Sequence, residues 1–171
     1  MNEAAAYGGI MTGGAIQNNT GHRGAAVNIY SDDRDKRAIF TLEDDGLITR
    51  NTGISANGNE AGGAVFVEDN AAFHMIGGTV SANKASKGGG ICIVDSALQR
   101  GTAEYGTEFL MDGGVISGNR AGTGGGIYSF SNGSFLRSGK IINNTATYSG
   151  GGLYSEGKAL MLTALPIYII P

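Results

Sequence analysis

Apolar residues recur along the chain in short runs at every second position, separated by segments rich in glycine and asparagine. The clearest unit runs from Phe109 to Tyr128, FLMDGGVISGNRAGTGGGIY. Phe73–Cys92 repeats it as FHMIGGTVSANKASKGGGIC, and Phe135–Tyr154 as FLRSGKIINNTATYSGGGLY. Leu47–Phe66 and Gly9–Asn28 are weaker copies. Period-two spacing in short apolar runs predicts strands with one face turned inward. The Gly-Gly, Asn and Gly-Gly-Gly segments between them supply residues able to take positive φ, so they predict turns.

One asparagine marks each copy: Asn19, Asn57, Asn83, Asn119 and Asn144. Three residues before it stand Ile16, Ile54, Val80, Ile116 and Ile141. After the glycine run come Val27, Val65, Ile91, Ile127 and Leu153, and two residues further Ile29, Val67, Ile93, Ser129 and Ser155. The first strand of the unit is aligned on Leu47, Phe73, Phe109 and Phe135. Three strands and three turns in roughly 25 residues make one turn of a coil whose equivalent strands pair in parallel. The asparagine spacings of 38, 26, 36 and 25 place the extra residues at one corner, near 31–46 and 95–108. Repeats stacked on one another tolerate insertions confined to a corner, because loops leave the pile without disturbing it. A turn asparagine can bond its local backbone and the amide of the asparagine above it, so these five are expected to form a ladder.

Composition sharpens this picture at a few points. Glycine is 31 of 171 residues, yet 41% of the chain is hydrophobic and the glycines recur periodically, which reads as a repeat and not as disorder. The formal net charge of −3 argues against a sequence-independent grip on nucleic acid. The lone Cys92 excludes an internal disulfide. The segment from Ala159 to Pro171 departs from the repeat and is shorter than the ~20 residues of a membrane-spanning helix. It is read as a non-repeat tail, truncated or foreign to the array. The repeat thus covers 1–158. Neither end carries a polar cap or a secretory leader, so the chain reads as an uncapped fragment whose export signal lies elsewhere.

The pattern F-x-M-x-G-G-x-[IV]-x-x-N-x-A…G-G-G-[IVL]-Y resembles the repeats of large bacterial cell-surface proteins, of which polymorphic outer-membrane proteins and autotransporter passengers are the best known. Their short GGA[ILV] signature stands here as Gly13-Gly14-Ala15-Ile16 and Gly62-Gly63-Ala64-Val65. The resemblance implies an all-β, single-stranded right-handed parallel β-helix of about five rungs. It also implies display outside the cell and contact with a host or cell-surface protein or glycan, or with the rest of a parent protein. It carries over no catalytic residue and no cofactor.

Coils of this kind also include polysaccharide lyases and hydrolases, which need clustered carboxylates, often with Ca²⁺, on one outer face. The outward columns Ile10, Ile48, His74, Leu110, Leu136 and Asn28, Phe66, Cys92, Tyr128, Tyr154 contain no acid. One edge is the exception. Asp69 and Asp95 hold equivalent turn positions, Glu68 precedes the first, and the two insertions bring Asp32, Asp33, Asp35 and Glu108 to the same edge. It is a candidate for a weak Ca²⁺ site or a recognition patch, against the simpler reading of solvated turn acids. His22 and His74 fall in different phases and predict no metal pair. Cys92 is expected to be a strand thiol, and the Tyr128–Tyr154 column to be cross-strand packing. The expected function is a non-catalytic structural or adhesive segment. The alternatives are a fragment of a carbohydrate-active enzyme or a pure spacer.

Overall fold

The computed structural model describes residues 7–33, 36–55, 62–95, 106–131, 133–156, 160–162 and 167–170. These residues hold strands and turns and no helix. They fall into successive layers. The first has β1 (Tyr7–Met11), β2 (Ala15–Gln17), β3 (Thr20–Gly21) and β4 (Val27–Ile29). The second has β5 (Ala38–Leu42), β6 (Leu47–Thr49), β7 (Thr52–Gly53) and β8 (Val65–Glu68). The third has β9 (Ala71–Met75), β10 (Thr79–Ser81) and β11 (Ile91–Val94); the fourth β12 (Glu108–Ser117), β13 (Arg120–Thr123) and β14 (Ile127–Phe130). The fifth has β15 (Gly133–Ile142), β16 (Thr145–Ser149) and β17 (Leu153–Ser155), and β18 (Leu160–Leu162) and β19 (Ile167–Ile170) follow.

Every strand pairing is parallel, and each strand pairs with its equivalent one layer away. The strands after the glycine run form one sheet in the order β17-β14-β11-β8-β4. The two earlier strands of each layer belong to one larger sheet, because β12 and β15 run unbroken through the corner that separates them elsewhere. The inward columns enclose a single apolar core containing Phe73, Met75, Val80, Ile91, Phe109, Ile116 and Ile141, all essentially inaccessible to solvent. Phe40, Phe73 and Phe109 stack inside it with centroids 6.1 and 5.6 Å apart. Burying such side chains stabilises each layer by roughly 1.5–3 kcal/mol apiece before chain entropy is charged.

The columns after the glycine run lie in the expected register from Val27 to Leu153 and from Ile29 to Ser155. The second layer differs from expectation. Its first strand is β5, not the run at Leu47, and Phe40 pairs with Phe73. Leu47 opens the second strand, so Ile48 and not Ile54 lies between Ile16 and Val80. Ile54 is 42% exposed. The insertion placed at 31–46 therefore ends by Arg37, and a second one falls between Gly53 and Val65, at a different corner. Most of the other insertion, 96–105, lies outside the described residues.

The fifth layer slips by one residue. Leu136 pairs with Met111 and Phe135 with Leu110, so Phe135 leaves the inward column. The unit from Phe135 to Ile141 is one residue shorter than that from Phe109 to Ile116. In the unslipped register Arg137 would replace Met111 in the core, at the cost of burying a charge. Ser134 turns inward instead, and its hydroxyl lies 2.8 Å from Ser129 and 3.2 Å from Ser131. The segment read as a non-repeat tail also stacks: β18 pairs with β15 at Ser134–Leu136, and β19 pairs with it at Gly139–Ile142. Continuous apolar runs, Leu160–Leu162 and Ile167–Ile170, form this pairing without the glycine and asparagine signature.

One corner concentrates backbone strain in every layer. The residues just before Asn19, Asn51, Asn83, Asn119 and Asn144, namely Asn18, Arg50, Ala82, Gly118 and Asn143, all take φ between 54° and 63°. Glycine and asparagine suit this left-handed conformation, whereas alanine gains nothing from it. Ala82→Gly is expected to raise stability by about 0.5–1 kcal/mol, the relief of strain exceeding glycine's added chain entropy. A urea midpoint at or below that of the unaltered chain would refute this.

Candidate functional site

The asparagine that follows this bend is the best-defined polar feature of the chain. The ladder runs Asn19–Asn51–Asn83–Asn119–Asn144, at sequence intervals of 32, 32, 36 and 25. Asn51 takes the place expected of Asn57, which lies outside the described residues. Asn57 had seemed equivalent because the second layer was aligned six residues too late. In each step one asparagine donates its backbone N–H and its Nδ2 to the Oδ1 of the next, at 2.9–3.1 Å. The other Nδ2 proton goes to a backbone carbonyl one layer back, such as Ile16 for Asn51 and Val80 for Asn119. Asn51, Asn83 and Asn119 are buried with both ends of the amide engaged, and Asn144 is buried with its Oδ1 occupied by Asn119, which makes the column structural.

The acidic edge does not gather into one cluster. Asp33 lies 3.6 Å from Lys36. Glu68 accepts from Arg23 at 2.9 Å and faces Asn28. Asp95 is buried and accepts the backbone N–H of Thr107 at 3.2 Å, closing the far end of the loop. Asp69 sits at the corner with φ 40°, beside Asn70 at 55°. Asp32 is exposed, and Asp35 lies outside the described residues. Among the described residues no three acids, histidines or cysteines come together as a metal site.

Glu108, expected on the acidic edge, belongs instead to a separate charged group with His74 and Arg37 that the sequence did not reveal. On the outer face of the first sheet Glu108 accepts from His74 Nε2 at 2.9 Å and from Arg37 at 3.3 Å. These residues are 34 and 71 positions apart, and the parallel register alone brings them together. The hydrogen bond from His74 chiefly, and the charge of Arg37, hold the Glu108 carboxyl below its usual range, while partial burial opposes them. A lowered carboxyl pKa contributes stability that is present above about 4.5 and is lost as pH falls through the folded-state value. Denaturant melts across acid pH should therefore show a shallower loss for Glu108→Gln than for the unaltered chain. Identical slopes would show that the triad contributes nothing.

The other outward column is covered. Phe66, Cys92 and Tyr128 form a second, smaller apolar cluster, flanked by Val94, Phe130 and Tyr154. Gly62 lies so close over the Phe66 ring that any side chain there would collide with it. Arg23 and Lys87 cap the Phe66 and Tyr128 rings at 6.0 and 5.1 Å. Tyr128 and Tyr154 stack at 5.5 Å, and the Tyr128 hydroxyl donates to Glu156. Burial pushes the Cys92 thiol up to about 12, so it stays protonated and unreactive at neutral pH. His22 meets the carbonyl of Ile54 at 3.0 Å and lies apart from His74.

Comparison with family models, with curated proteins and with solved structures finds no match to this chain. No helix among the described residues is long and apolar enough to cross a membrane.

Proposed function

We propose that the chain is a segment of a right-handed, single-stranded parallel β-helix, carried on a bacterial cell surface, whose work is structural and adhesive and not catalytic. The unbroken asparagine ladder is the observation that carries the reading: its amides and the parallel strands around it are spent on stacking one layer on the next. Right-handed winding follows the general preference of parallel crossovers. Among the described residues the columns Thr41–His74–Leu110–Phe135 and Asn28–Phe66–Cys92–Tyr128–Tyr154 carry no acid, which also favours a scaffold. Function would then reside on outward side chains and corner loops, which vary without disturbing the coil.

The competing reading is a carbohydrate-active enzyme, and the Arg37–Glu108–His74 triad is the specific observation in its favour. Both are decided by incubating the chain with uronan and neutral polysaccharides while following uronide release, reducing ends and retention on glycan arrays. Retention without cleavage is the expected outcome. Cleavage abolished by Glu108→Gln would replace the scaffold reading with the enzymatic one.

A further inference from the structure

Charge is unevenly distributed around the layers. The corner between the first two strands carries Glu43, Asp44, Asp45 and Asp112, with Arg137 lying 3.8 Å from the last. The segments from the left-handed bend to the glycine run carry Arg23, Arg50, Lys84, Lys87 and Arg120 against the single acid Glu60. A protein with a net charge of −3 therefore has one distinctly basic edge.

Within that edge Arg23 is engaged by Glu68 and Arg50 by the side chain of Gln17. Lys84 and Arg120 are exposed, and their backbones bridge as neighbours in parallel. Neither makes an ion pair among the described residues. Adjacent strands lie about 4.8 Å apart, so two like charges stand side by side, an arrangement that costs stability unless an anion bridges them.

An independent observation lies beside them. Pairing of β13 with β16 shifts between Ala121–Ala146 and Thr123–Ser149, so β16 carries an extra residue opposite Gly122. That bulge turns Tyr148 outward, 83% exposed, the largest such value among the exposed apolar residues. Its ring lies 3.5 Å from where a side chain on Gly122 would begin. Arg120 and Gly122 are two apart in one strand and so face the same way. Bulges commonly re-aim a side chain at a binding site, and a bare aromatic ring beside cations suits a sugar ring that carries acid groups.

We infer that Lys84, Arg120 and Tyr148 form a binding strip for an acidic polysaccharide, its sugar stacked on Tyr148 and its carboxylates or sulfates on the two cations. The cations are spaced along the stacking axis by about one strand separation, comparable to the length of a single pyranose unit. The strip deepens the adhesive reading above and rests on it.

The test is calorimetric titration of the whole chain with a heparin oligosaccharide, an oligogalacturonate, a neutral dextran oligosaccharide and a single-stranded oligonucleotide. The acidic sugars should bind and dextran should not, with affinity falling as salt rises. The double variant Lys84→Gln, Arg120→Gln should weaken binding about tenfold or more, and Tyr148→Ala about fivefold. Asp44→Asn should leave it unchanged. All three side chains are exposed, so melting temperatures no lower than that of the unaltered chain separate lost binding from lost folding. Failure of both acidic sugars to bind overturns the strip and leaves the non-catalytic scaffold standing. Equal oligonucleotide binding with indifference to Tyr148→Ala also overturns it, in favour of plain attraction between polyions. Uronide release that the double variant abolishes would support the strip while sinking the non-catalytic reading.

Discussion

Asn119→Ala is expected to destabilise the chain by about 3 kcal/mol or more, an effect that the equally engaged Asn83 would share. The Asn119 Oδ1 accepts both the backbone N–H and the Nδ2 of Asn83, and its own Nδ2 serves Val80 and Asn144. Alanine would orphan two donors inside a buried bend, each costing about 1–3 kcal/mol. Asn119→Asp should fare no better at neutral pH. A carboxylate oxygen would then face the Val80 carbonyl and the Asn144 Oδ1, and a buried charge would lack a partner. Asn19→Ala provides the contrast. Asn19 is exposed at the first layer, accepts from no earlier asparagine, and should lose under about 1 kcal/mol. Chemical denaturation of the three variants gives the comparison directly. Equal losses at Asn19 and Asn119 would mean that the ladder does not act as a cooperative column.

Gly125→Ala is expected to be about as damaging, by about 3 kcal/mol or more. A Cβ on Gly125 would fall 2.4 Å from both the Gly151 and Thr145 carbonyl oxygens. Both are backbone atoms of the next layer, so no side chain can swing aside. Gly89 repeats the arrangement against Gly125 and Arg120. The middle glycines of these runs thus answer to the closeness of the neighbouring layer, and the first ones, Gly88, Gly124 and Gly150, to a positive φ. Gly13, with nothing within 4 Å, serves as the control. Gly13→Ala should change the denaturation midpoint little, and a comparable loss at both positions would contradict the packing argument.

The parallel stack, the columns after the glycine run and four of the five ladder asparagines were legible from periodicity alone. In those segments the asparagine and the glycine run keep a nearly constant separation, and strict alternation leaves a single face that can be buried. The second layer was misaligned for the same kind of reason. Its Leu47 run alternates as convincingly as Ala38–Leu42, and Asn57 sits at a plausible distance from the next glycines. Only the neighbours on either side decide between the two, because β5 must seat Phe40 on Phe73 and Asn51 must reach the Oδ1 of Asn83. The stacking of Leu160–Leu162 and Ile167–Ile170 is not legible in sequence, because these are continuous apolar runs with neither alternation nor the marker residues.

The chain's repeated alternation, glycine runs and bend asparagines determine by themselves that it forms parallel strands in layers, since short-range sterics and the period of side-chain direction are local properties. Tertiary structure alone decided which copy pairs with which, where Phe135 points, and that Arg37, His74 and Glu108 meet. It also decided that Tyr148 is turned out beside Arg120 and Lys84. Each of these depends on register between segments 25 or more residues apart. A one-residue slip there reverses every face at little local cost, so only the combined fit of the neighbouring layers selects the outcome.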